Sequence, residues 1–448
     1  MLTLTLVLTI GLYAFENLAI TTLMPAVARE FDSFSLYGAA FSAYLLASVV
    51  SLVMGGSGCD RKGPFFVLAI GLVLFAAGSL GAALAQNMAS FVAARALQGA
   101  GGGAMFSAAY VGVALGYRQA SHARMFALLA GAWVLPSFVA PALAGLITEH
   151  AGWRVVFIGV LPFPLLILVV GAVSMPRVQP APENGRHWRL YVAALSVAIG
   201  VVVVLGGTDT EAHMPTGLRV ALTVVGTCGL AVGLPRLLPL GTLLARPGVP
   251  AAVLTRGMLA LAFLAGVSFT PLALKELRGE GLAAVGAILA LPSISWTAAA
   301  YLHARYHEGF SARVAITAGS VATAVGLAAC WPALGWDYPL SLLYFGWFVA
   351  GAGMGLAFNA TTVFTVANAN VGQEGRAMAG LQLTEPLGAA IGTGIGGLLL
   401  TIGSNATSPS SQGFAFVWIF LVLVALGSCA VAQRVGGRAE SNSTGSAL

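Results

Sequence analysis

Apolar runs of about twenty residues, cut by short polar or Gly/Pro-containing breaks, repeat along the whole of this 448-residue chain. A run of that length crosses a ~30 Å hydrocarbon core as a helix. A bilayer accepts only structures that satisfy their own backbone polar groups, so the repetition commits the chain to a bundle of membrane helices. Candidate spans lie at 3–28, 36–56, 64–86, 90–115, 124–147 and 154–175, then 190–207 and 218–236. Six more follow at 251–274, 281–302, 313–333, 339–365, 376–402 and 413–433. The expected fold is an all-α polytopic membrane protein with fourteen transmembrane helices. Only 8% of residues are charged, against about 25% in soluble proteins, which excludes a soluble domain of any size. The first run is too long for a signal-peptide core and has no basic stretch before it. It reads as a retained span, with a longer native N-terminus expected ahead of it.

An even number of spans puts both termini on one side. Arg61, Lys62, Arg118, Arg124, Arg177, Arg186, Arg189, Arg236, Arg246, Arg256, Arg305, Arg313, Arg376, Arg434 and Arg438 group with the termini. Arg29, Arg154, Arg219, Lys275 and Arg278 group opposite. The positive-inside rule then makes both termini cytoplasmic in a cell inner (plasma) membrane. The net charge of +6 reports this topology, and no nucleic-acid partner is implied. Short basic turns follow the second span of the first six (residues 56–63) and the second span of the last six (residues 303–313). Two related halves around a midplane site fit this pattern. The expected divisions are an N-terminal six-helix bundle (1–176), a loop with two inserted helices (177–249), a C-terminal six-helix bundle (250–434) and a disordered cytoplasmic tail (435–448).

Glu16 lies in the middle of the first run. An ionisable side chain at that depth costs roughly 2.5–3.5 kcal/mol even on lenient scales. Burial penalises the charged form of a carboxyl, so such a group can take up and release a proton. Coupling or substrate contact accounts for that cost; a carboxyl merely hydrogen-bonded to the next helix is the plainer alternative. Glu385 is the acid of the last six spans that lies clearly away from a loop. It reads either as a second protonatable group or counter-charge for cations, or as an interfacial carboxylate near Glu374 and Arg376. Arg95, just inside span four, could snorkel or find a buried partner, most economically Glu16. Asn17, Gln382 and Asn359 are further embedded polar groups that need partners, and Trp133 is a cavity candidate.

The glycine runs 99–103 and 351–355 lie within apolar helices and follow no strand, so close helix packing explains them better than phosphate binding. His303 and His307 are four apart but lack a third ligand, so no metal site is expected. No cofactor segment is evident. A membrane-embedded enzyme would need a nucleophile–base pair or metal cluster at depth, which scattered acids and loop histidines do not supply.

Residues 56–68, with Gly56, Asp60, Arg61, Gly63 and Leu68, resemble the loop 2–3 signature of the major facilitator superfamily. Arg95, Gln98 and Gly99 resemble its R-x-x-Q-G motif, and Glu16 to Pro25 resembles the first-span motif of the fourteen-span drug:proton antiporters. Ala140, Pro141 and Gly145 resemble the fifth-span antiporter motif with two glycines replaced by alanine. Gly152, Trp153, Arg154 and Phe157 follow as in that family. The resemblance implies a major facilitator fold of two six-helix bundles plus two inserted helices. It also implies proton-coupled efflux of small lipophilic or cationic compounds by a monomer working through alternating access. A facilitator-type importer or proton symporter is the alternative, favoured by the altered fifth-span motif. In this resemblance Asp60 anchors a conformational latch, and Glu16 and Arg95 handle the proton.

Overall fold

The computed structural model describes residues 1–118, 131–175, 188–208, 216–306, 311–336, 338–368, 374–402 and 409–436, with 121, 124, 125, 128 and 129 besides. The expected loops at 177–187 and 209–213, His307 and the tail from 437 lie outside them. Among the described residues every regular element is helical. In chain order the α-helices are α1 (Leu2–Glu30), α2 (Tyr37–Lys62), α3 (Pro64–Ala83), α4 (Met88–Gly116) and α5 (Val134–Ala151). Next come α6 (Trp153–Val160), α7 (Pro162–Ser174), α8 (Trp188–Thr208), α9 (Thr216–Leu237) and α10 (Val249–Arg278). The last are α11 (Leu282–Tyr306), α12 (Ala312–Gly335), α13 (Leu340–Asn368), α14 (Glu374–Ile402) and α15 (Ser411–Ala432). The sixth expected span is built from α6 and α7, meeting at Pro162, whose missing N–H suits a helix start. The fifth expected span (124–147) is interrupted: residues 124, 125, 128, 129 and 131 are helical, a turn follows at 132–133, and α5 then continues over Val134–Ala151.

Eleven spans are long and apolar enough to cross a membrane on their own composition. The chain is a multi-pass membrane protein whose described elements are all helical. α4 falls outside the eleven although it has 29 residues, since Arg95, Gln98 and its glycines dilute its hydropathy. α8 and α9 contribute shorter apolar stretches, Trp188–Val204 and Val224–Leu237.

Small residues set the packing, and the same device appears twice. A Cβ on Gly99 or Gly103 of α4 would strike the backbone of Tyr44 or Ser48 in α2. One on Gly351 or Gly355 of α13 would strike Pro292 or Trp296 in α11. In each half, then, glycines one turn apart on the fourth helix admit the second helix, as close approach in lipid demands. α8 and α9 pack on each other through Gly200 and Gly226. Their apolar faces (Ala193, Val197, Val201, Leu237) join Leu46 and Val49 of α2 and Leu383 and Leu387 of α14 in one cluster.

The end that carries Met1 and the α2–α3 turn is called here the near end, and the end that carries the α1–α2 turn the far end. The halves touch closely at the far end. Tyr37 donates from its hydroxyl to the Ser268 carbonyl at 3.0 Å, and Ser42 to the Ala390 carbonyl at 2.8 Å. Arg29 Nη2 lies 2.7 Å from Glu276 Oε1. A Cβ on Gly38 would come within 2.8 Å of the Gly397 Cα, so the two backbones meet there without side chains between them.

Candidate functional site

α1 and α4 bring Glu16 and Arg95 together. Each residue is fourteen or fewer positions from a helix end, which at 1.5 Å per residue puts the pair about 10–20 Å inside the bundle. Arg95 Nη1 donates to the Glu16 carboxylate and to Gln98 Oε1. Gln98 Nε2 in turn donates to Ser79 Oγ at 2.8 Å, and the guanidinium lies 4.3 Å over the ring of Tyr44. The side chains are 1% and 2% exposed. The snorkelling alternative for Arg95 is thereby set aside, since a near neighbour and a carboxylate hold it inward. Asn17, next to Glu16, donates to the Tyr13 carbonyl at 2.8 Å and to the Tyr44 hydroxyl at 3.3 Å.

A second pair, in the other half, joins α10 to α14. Arg256 Nη2 stands 3.5 Å from Glu385 Oε2, with the side chains 9% and 32% exposed. Arg256 was grouped above with the basic residues at the cytoplasmic ends; this is corrected, because it sits seven residues into α10 and is buried there. Its Nη1 donates to Thr362 Oγ1 at 2.8 Å and to the Phe358 carbonyl at 3.3 Å. Its guanidinium lies 4.1 Å over the Phe358 ring. Glu385 precedes Pro386 inside α14, and a proline there leaves the carbonyl of Gln382 without its helical donor. Gln382 is half-buried. Tyr13 and Tyr110 of the first half stand within electrostatic range of Glu385, and Tyr110 within that of Arg256. Trp133 stands edge-on to Tyr13 at 5.8 Å, and Phe106 stacks on Tyr110 at 4.7 Å. With Tyr13 also 5.3 Å from Phe106, these rings form one aromatic cluster in the first half.

The loop 2–3 residues sit at the near end. Gly63 adopts φ 84° between α2 and Pro64, a conformation that favours glycine. Gly56 is half-buried and Asp60 exposed, and among the described residues no ion pair holds Asp60. Arg61 lies beside it at the end of α2. Pro25, Pro141 and Gly145 are buried within their helices. At the far end Glu30 accepts from Trp153 Nε1 at 2.6 Å and from Arg154, which also reaches the Ala85 carbonyl at 3.0 Å. His303 pairs with Asn359 at 2.8 Å.

Reading the sequence missed Arg256, Glu30 and the Arg29–Glu276 bridge as members of these groups. For Arg256 a signal existed: it falls two turns inside an apolar run, as Arg95 does.

The sequence profile of the Major Facilitator Superfamily matches residues 6–336. An uncharacterised MFS-type transporter of Mycobacterium tuberculosis is 26% identical over 406 residues, 86% of this chain and 58% of the relative. The multidrug efflux pump SdrM of Staphylococcus aureus is 25% identical over 181 residues, 40% of each. The chain spans less than two thirds of the length of these curated relatives. Among solved structures, a bacterial homologue of the human lysosomal transporter Spinster superposes with a TM-score of 0.69 at 13% identity, covering 97% of this chain and 96% of that one. The xylose transporter XylE from E. coli gives 0.64 at 14% identity, with 96% and 97% covered.

Proposed function

The chain belongs to the Major Facilitator Superfamily, and on that premise we propose that it is a proton-coupled secondary transporter exporting small lipophilic or cationic compounds by alternating access. It works as a monomer in the plasma membrane with both termini cytoplasmic. The observation that carries this reading is the sealed Glu16–Arg95 pair, a charged couple at depth in helices that have no structural need of one.

Coupling requires that proton and substrate bias the same conformational equilibrium. Protonation of Glu16 removes its charge and releases Arg95 to Gln98 and the Tyr44 ring, which changes how α1 meets α4. Sealing suits such a group. A proton site open to water in every state would leak the gradient, whereas Glu16 can exchange with solvent only when the bundles rearrange. The far-end contacts and the exposed Asp60 support an arrangement closed outside and open inside. When the cytoplasmic side closes, Asp60 accepts from a partner in the opposite half and latches it.

Import or symport is the second reading, supported by the alanines at Ala140 and Ala144 in the fifth-span motif. Proton release decides between them. Purified protein in weakly buffered detergent should release protons when a lipophilic cation is added; proton uptake points to symport, and no pH change overturns coupling.

A further inference from the structure

The Arg256–Glu385 pair lacks the construction of a structural ion pair. Arg256 is held in place without Glu385, by Thr362, the Phe358 carbonyl and the Phe358 ring. Its Nη2 approaches Glu385 only to 3.5 Å, beyond the 2.7–3.2 Å of a good N–H···O bond. Its buried Nε has no acceptor. Glu385 is 32% exposed, so part of its carboxylate is open to a solute. Arg95 also leaves its buried Nε without an acceptor; what separates the two pairs is that Arg95 Nη1 donates directly to Glu16 and Gln98, with the Glu16 side chain only 2% exposed against 32% for Glu385.

The net charge of the open pair is zero, and this decides what it can hold. A lone cation at Glu385 meets Arg256 a few ångströms away, and a lone anion at Arg256 meets Glu385. In a partly dry interface either like-charge approach is costly. A molecule carrying both charges close together avoids both penalties, because its ammonium faces Glu385, its carboxylate faces Arg256 and the four charges alternate. We infer that the Arg256–Glu385 pair is the recognition site for a compact zwitterion, an ammonium and a carboxylate a few bonds apart on an aromatic body. The aromatic body lies against the half-buried Tyr110, which stacks on Phe106 in the first half within electrostatic range of both Glu385 and Arg256. The inference rests on the transporter reading above and narrows its substrate class to lipophilic aromatic compounds whose cationic group is paired with a carboxylate, at the expense of simple cations.

Three matched probes test it by calorimetric titration of the purified full-length protein: naphthylalanine, its methyl ester (a cation) and its N-acetyl derivative (an anion). The zwitterion should bind at least about tenfold more tightly than either, the difference between a paired and an unpaired charge. Glu385→Gln should weaken the zwitterion and strengthen the N-acetyl compound, while Arg256→Gln should weaken the zwitterion and strengthen the ester. Because Arg256 also ties α10 to α13, Glu385→Gln decides the matter alone if Arg256→Gln does not fold. An ester that binds the wild type as tightly as the zwitterion, a zwitterion that does not bind, or zwitterion binding unchanged in Glu385→Gln overturns the proposal. Zwitterion selectivity without proton release sinks coupling and leaves this site standing. Proton release on adding the ester, with no response to the zwitterion, does the reverse.

Discussion

Among the described residues each half of the molecule holds one arginine–glutamate pair at depth, and the two are built differently. Glu16 and Arg95 are shut in by Gln98, Ser79 and Tyr44, with at most 2% of either side chain exposed. Arg256 and Glu385 stand 3.5 Å apart with the carboxylate one-third open. A closed pair repays its desolvation only through direct, complete hydrogen bonding, and it reaches water only when the bundles move. An open pair keeps part of its hydration, so a solute can compete for it at little cost. Under the proposals above, this contrast gives timing to the first pair and recognition to the second.

The largest expected effect is on stability. Arg95→Met leaves Glu16 buried without its counter-charge, and thermal unfolding in detergent should register a loss of about 3–5 kcal/mol. Glu385→Gln should cost clearly less, since Glu385 is one-third exposed and the buried Arg256 keeps Thr362, the Phe358 carbonyl and the Phe358 ring as partners. Equal losses would erase the distinction between the pairs. Glu16→Leu combined with Arg95→Met should recover most of the lost stability, because no charge is then stranded, while transport stays absent.

A smaller effect tests the far-end contact between the halves. Gly38→Val inserts side-chain atoms between α2 and α14, where the space to Gly397 is already filled. Overpacking of this kind costs about 1–3 kcal/mol, and distance measurements between labels on the two halves should show the far end held apart. An unchanged separation would mean that this contact does not govern closure. The smallest effect belongs to the exposed Arg29–Glu276 bridge, 45% and 18% exposed. Arg29→Ala should alter stability by less than about 1 kcal/mol, and raising salt should reduce even that difference.

How much of this could be read from residues alone depended on the physical signal available. The spans were readable because a bilayer demands long apolar helices, and α1 to α4 and α10 to α15 begin and end close to the expected boundaries. The break in the fifth span was not legible because hydropathy does not register the turn at 132–133. Glu16 stood out through its cost in an apolar run, and motif spacing on α4 pointed to Arg95 as its partner. Arg256 did not stand out, because a basic residue near the start of a span looks like an interfacial anchor until α13 and α14 close around it. Glu30 and the Arg29–Glu276 bridge were unreadable for a different reason: their partners are more than a hundred residues away, and no local pattern brings them together.

The division of labour between the pairs rests on Glu16 carrying the proton, and Glu16→Gln addresses it directly. Glutamine reproduces the size and hydrogen bonding of the protonated acid but cannot release a proton. Wild type and Glu16→Gln should be compared in proteoliposomes under an imposed pH gradient, alongside gradient-free exchange of labelled substrate. The account predicts that the variant still exchanges substrate but no longer concentrates it. A variant that accumulates substrate in proportion to the imposed gradient would contradict the account and move the proton to Glu385.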